Sequence, residues 1–278
     1  MNNNKFSIKR ALNLCMLYIN ENRKFLLICA VSIIGILICI SLSVVNREYY
    51  RMTVYDGPHP GLDPAIPYLV PTYIIIGYIF AALGASFMFS ELKSKQGRIR
   101  TLMIPANSSE KLISRMFVYV VIYTVFFVLA VCLAEFIRYA YLMTQSPMAP
   151  VTPLYAVWGN KAAISYLTPY RYPHLIPLLL FVGVYAIQSF FALGSTLWYK
   201  YSSVKTFALF FALFFIYAVS VYTLGSSLSK GKTYTNLEHF MSNYFGYLFL
   251  CFEIIVCLFN WGMAWWRLRE TDVITTKR

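Results

Sequence analysis

Six apolar runs, at residues 25–45, 68–89, 116–137, 175–198, 207–224 and 244–266, constrain this chain more than any other feature of it. A helix rising about 1.5 Å per residue needs about 20 residues to cross about 30 Å of hydrocarbon, and each run approaches that length. No water is present there to satisfy backbone N–H and C=O groups, which leaves a helix as the form for each run. Hydrophobic residues make up 59% of the 278 and charged residues 13%, against roughly 45 to 50% and 25% in soluble domains. The expected fold is an all-α integral membrane protein with six transmembrane helices, forming a single membrane domain over residues 1–278.

Orientation follows from the placement of lysine and arginine. With the N-terminus inside, the outer segments hold only Arg47, Arg51, Arg138, Lys161, Arg171, Lys230 and Lys232 of the 24 basic residues. The rest fall inside, so both termini are expected to be cytoplasmic. The net charge of +13 is then largely topological and calls for no nucleic acid. A cleavable signal peptide competes for the first 45 residues, with Ser41-Leu42-Ser43 as a loose cleavage site. The apolar run exceeds the roughly 7 to 15 residues of a signal core, so it reads as a retained first membrane helix.

Ahead of that helix, Lys9, Asn13, Asn20 and Lys24 share one helical face, with Leu12, Cys15, Met16 and Ile19 between them. The spacing predicts an amphipathic helix over 1–24 lying in the headgroup plane; a cytoplasmic extension of the first membrane helix is the alternative. In the second membrane helix Gly77, Ala81 and Ala85 recur every four residues, the spacing that lets helices approach closely in lipid. The six cysteines, Cys15, Cys29, Cys39, Cys132, Cys251 and Cys257, fall in apolar stretches and read as small hydrophobes. The outer stretches 56–61 and 139–174 are rich in proline and aromatics, which suits the membrane interface; interfacial helices are expected around 155–166.

Between the second and third runs lies the longest basic segment expected inside, ELKSKQGRIRTLMIPANSSEKLISR, from Glu91 to Arg115. Gly97 permits a bend, Ile99, Leu102, Met103 and Ile104 stand among basic residues, and Pro105 breaks the run. Asn107 with Glu110 three residues later reads as a capping box that opens the next helix. The pattern predicts a helix, a short amphipathic element, a turn and a helix. A solvated loop that merely sets topology would explain the basic charge. It would not explain an apolar Leu102 to Ile104 tip left uncovered in the cytoplasm.

The run FMFSELKSKQGRIRTLMIPANSSEKLISR resembles the cytoplasmic segment between the second and third helices of ATP-binding-cassette (ABC) type-2 permeases, compact bacterial forms above all. An amphipathic N-terminal helix, six membrane helices and two inner termini also match that family's plan. The resemblance implies a coupling helix that docks on a separate cytoplasmic ABC ATPase, with Glu91, Arg98, Arg100, Leu102, Met103, Ile104 and Pro105 at or near the contact. It further implies a second permease copy as partner, export as the direction of transport, and a bacterial cytoplasmic (inner) membrane as the location. ATP and magnesium would belong to the partner ATPase, with no cofactor on this chain.

No catalytic constellation is apparent in the sequence itself. Gly231-Lys232-Thr233 ends like a phosphate-binding loop, but the required earlier glycine would stand at Ser226, where the chain has its glycine at Gly225. His59, His174 and His239 are scattered over outer segments without metal spacing. Glu135 and Arg138, three residues apart, are expected to pair at the interface. Glu253 stands in the middle of the sixth apolar run, where a charge is costly. It reads equally as a polar or proton-linked contact in a translocation path and as a protonated carboxyl bonded to a neighbouring helix. Two other classes of function stay open: a non-transporting scaffold or sensor that recruits a partner through the same loop, and an ion-coupled carrier built on Glu253.

Overall fold

A computed structural model describes residues 6–51, 63–145, 175–198, 201–228 and 234–276. Apolar runs with no backbone partner but themselves have become helices, and no strand occurs among the described residues. In chain order these are α1 (Ile8–Arg51), α2 (Ile66–Phe87), a 3₁₀ turn (Ser90–Lys93), α3 (Lys95–Met103) and α4 (Ser108–Met116). A π-helical stretch (Phe117–Ile122) leads into α5 (Tyr123–Gln145), followed by α6 (Leu175–Leu197), α7 (Ser202–Leu228) and α8 (Tyr234–Thr276). Six spans among the described residues are long and apolar enough to cross a membrane: Ile8–Arg51, Ile66–Phe87, Ser108–Gln145, Pro177–Leu197, Ser202–Ser220 and Gly246–Glu270. Each overlaps one of the six apolar runs. Their outward residues, such as Leu27, Ile28 and Val31 on α1 or Ile255, Leu258 and Phe259 on α8, are exposed. Apolar surface that continuous suits hydrocarbon rather than water.

One boundary differs from the sequence expectation. The helix foreseen over 1–24 is not a separate element, because α1 runs unbroken for 44 residues. No glycine or proline lies between Ile8 and Phe25, and without a breaker the polar Asn20 to Arg23 stretch stays helical. The helix that carries the third apolar run starts at Ser108, where the Asn107–Glu110 capping box read from the sequence opens it among residues that are still polar. It passes into the apolar part through the π-helical stretch, opened by a Phe117 N–H that reaches both the Ile113 and Ser114 carbonyls.

The chain forms two compact units. In one, residues 16–80 and 121–173, the core joins Ile33, Leu37 and Val45 of α1, Leu69, Tyr73 and Ile76 of α2, and Ala130, Ala134 and Leu142 of α5. Gly77 lets the Phe127 ring approach so closely that an added Cβ would lie 2.9 Å from it. The Tyr123 hydroxyl donates to the Gly77 carbonyl at 2.8 Å. In the other unit, residues 1–15, 81–120 and 174–278, Ala82 and Ala85 receive Phe191 of α6, around which Phe190, Phe207 and Phe210 pack edge-on or tilted. The small residues of α2 thus serve packing within the chain.

Candidate functional site

The sequence from Glu91 to Arg115 folds into a braced projection. After the 3₁₀ turn, Ser94 takes an extended conformation, and its side chain accepts a hydrogen bond from the Gly97 N–H at 3.0 Å, capping α3. The chain therefore turns at Ser94, three residues before the bend expected at Gly97. Gly97 serves close packing instead. A Cβ there would intrude on the Glu91 carbonyl oxygen, so only glycine lets the first turn of α3 lie against the preceding turn. Ile104, held extended by Pro105, ends the helix.

The ends of this segment are joined to each other. The Arg115 guanidinium donates to a Glu91 carboxylate oxygen at 2.9 Å and lies 5.1 Å over the Phe89 ring. Its side chain is 1% exposed. Glu91 is therefore engaged inside the segment, closing its base.

Glu110 performs two caps at once. Its buried carboxylate accepts from its own N-cap, the Asn107 N–H, at 3.0 Å, completing the capping box read from the sequence. It also accepts from the Ser7 N–H at 2.8 Å, just ahead of α1, and from Arg10 at 2.9 Å. One turn on, the Ser114 hydroxyl donates to the Ala11 carbonyl at 2.8 Å, and the Cys15 thiol lies 3.6 Å from the Ser114 carbonyl. Trp265 of α8 donates its indole N–H to the Ser109 hydroxyl at 3.1 Å. The start of α4 is thus pinned by the beginning of α1 and the later part of α8.

On that support α3 divides into two faces. Thr101 points inward, buried, and its hydroxyl bonds the Gly97 carbonyl. Outward stand Ile99, 49% exposed, Met103, 78% exposed, and Arg100 between them. Ile99 and Met103 are four residues apart and share one face. Pro105 is exposed, Ile104 and Arg98 are half-buried, and the Leu102 side chain lies outside the described residues. Among the described side chains of α3, the exposed apolar surface is the Ile99–Met103 stripe.

Glu253 sits half-buried on α8, on the same stripe as Cys257 and Asn260. Cys257 approaches the Tyr185 carbonyl at 3.9 Å, and Asn260 donates to the Ser189 hydroxyl at 3.1 Å. The Glu253 Oε2 has no hydrogen-bond partner among the described residues. The Glu135–Arg138 pair forms at 2.8 Å, but Arg138 is 1% exposed and also holds Asp63 at 2.6 Å. Tyr73 donates to the other Glu135 oxygen at 2.9 Å. The pair expected at an interface is therefore buried and shared with a carboxylate 75 residues away.

All six cysteines are free, and no group of three histidine, cysteine or acidic side chains is placed to hold a metal among the described residues. His59, His174 and the stretches 56–61, 155–166 and 231–233 lie outside the described residues; His239 is helical, its side chain undescribed. Compared with protein-family profiles, with curated proteins and with solved structures, the chain matches none.

Proposed function

We propose that this chain is the membrane-spanning permease subunit of an ABC exporter and that α3 is its coupling helix, seated on a separate cytoplasmic ATPase. The observation that carries this reading is the pairing of a braced base with an exposed outer face. Arg115–Glu91, the Ser94 cap and the close approach at Gly97 hold α3 as one piece. Ile99, Arg100 and Met103 stand exposed on the side away from that brace. A stiff lever with an apolar and basic face suits force transfer better than a solvated loop does. Displacing α3 moves α2 through Ser94 and α4 through the Pro105 turn, because only a few residues separate these helices. In a pair of permease copies, ATP-driven closure of two ATPases would use that displacement to open a path between the copies. Both termini and α3 would then lie on the cytoplasmic side of a bacterial inner membrane, an orientation that the lysine and arginine bias supports.

Burying Ile99 and Met103 in a partner groove contributes about 1.5–3 kcal/mol for each fully covered side chain. The double variant I99D/M103D is therefore expected to weaken co-purification with the ATPase by more than about 100-fold, with the chain still inserted and folded. Undiminished co-purification would overturn the assignment. Retention of the ATPase without nucleotide-dependent movement of any substrate would instead favour the recruiting scaffold.

A further inference from the structure

We infer that the seam between α6 and α8 holds a binding site for an amphipathic organic cation, with Glu253 as its counter-ion. The two helices run side by side in a fixed register. Asn260 bonds Ser189 at 3.1 Å, Cys257 lies 3.9 Å from the Tyr185 carbonyl, and a Cβ on Gly246 would touch Leu175 at 3.6 Å. The offset between partners is nearly constant along the seam, so the helices are parallel there. Glu253 precedes Cys257 by one turn and Asn260 by two, which keeps all three on the stripe that faces α6.

The register that sets Cys257 against Tyr185 brings Glu253, one turn earlier, to the level of Phe181, one turn before Tyr185 on α6. The Phe181 and Tyr185 rings meet edge to face, with centroids 4.9 Å apart at 71°. An aromatic face attracts a cation electrostatically, more strongly where water is excluded. The carboxylate supplies what the rings lack, a full negative charge.

The helices themselves supply no positive charge to match it. α6 contains no lysine or arginine, and the nearest on α8, Arg267, is 14 residues from Glu253, or about 21 Å along the helix. A carboxyl enclosed in hydrocarbon is neutralised by a proton or by a paired cation, and its Oε2 receives no hydrogen bond from the described residues. Phe181 at that level is 53% exposed, so a cation seated beside Glu253 would meet apolar surface, which favours one with a large apolar body over a metal ion or a hydrated ammonium.

A second orphan lies along the same helix. Gln188, next to Ser189, is 0% exposed, and neither atom of its amide group has a hydrogen-bond partner among the described residues. It stands about two turns from the level of Glu253, roughly 10 Å along α6.

The site is separate from α3, so the chain alone suffices to test it. Purified protein in phosphatidylcholine nanodiscs, free of anionic lipid, is titrated with tetraphenylphosphonium, and bound probe is measured by equilibrium dialysis against empty nanodiscs. The wild type should bind saturably; triphenylphosphine oxide, similarly apolar and uncharged, should not compete. E253Q should weaken binding by at least about ten-fold, F181A by several-fold, and E253D should retain most of it. Equal binding by E253Q and wild type, or no saturable binding above empty nanodiscs, would overturn the proposal. Melting in the nanodiscs checks the fold of each variant. Should E253Q fail to fold, F181A decides the matter: unweakened binding by that variant counts against the site.

Discussion

Removing the Glu110 carboxylate should detach the beginning of α1 from the start of α4. The side chain is fully buried and accepts two backbone N–H groups, from Asn107 at 3.0 Å and Ser7 at 2.8 Å. Each such bond to a charged acceptor contributes about 1.5–3 kcal/mol. Arg10, whose side chain is 33% exposed, adds at most about 0.5 kcal/mol because water screens it. The E110A variant is therefore expected to lose about 3–5 kcal/mol, in line with breaking a buried charged contact. E110Q keeps one acceptor oxygen but turns an amide N–H₂ toward a donor, and should lose about half as much. Denaturant unfolding in mixed micelles gives the total. Hydrogen exchange at the Ser7 and Asn107 amides gives the location, with a rise of about 100-fold expected in E110A. A loss below about 1 kcal/mol, or unchanged exchange at both amides, would refute the double cap.

Two further variants test other parts of the fold. Replacing Arg138 by Met leaves Asp63 buried without its guanidinium, which should cost about 3–5 kcal/mol in unfolding measurements, while D63N/R138M should recover a large part. G97A drives a methyl group into the Glu91 carbonyl and should destabilise by about 1–3 kcal/mol or more; G84A, with nothing within 4 Å of the added carbon, should be neutral or slightly stabilising in the same thermal assay.

What could be read from the sequence was local. The spans follow from apolar length, the start of α4 from Asn107 and Glu110 three residues apart, and the end of α3 from Pro105. The exposed Met103 followed from an apolar residue among charges. The braces were not legible, because they join residues far apart in the chain. Arg115 meets Glu91 across 24 positions, Arg138 meets Asp63 across 75, and the Ser7 N–H meets Glu110 across 103. No periodicity encodes such pairs, and Arg115 reads as one more topological charge until Phe89 and Glu91 are seen around it. The unbroken α1 departs from the pattern for a different reason. The polar spacing of Lys9, Asn13, Asn20 and Lys24 suggests a separate surface helix, yet polarity does not break a helix, and the chain has no glycine or proline where a break was expected. At Glu253 the sequence showed an isolated acid, and only the register of α6 against α8 puts Phe181 at its level.

The role of α3 is tested most directly by placing a photo-crosslinking amino acid at Met103 and irradiating native membranes. The proposed function predicts a single major adduct, identified by mass spectrometry as an ABC ATPase subunit, that is lost when the crosslinker is moved to the inward-facing Thr101. Adducts at Met103 to lipid alone, or to no ATPase, would contradict it.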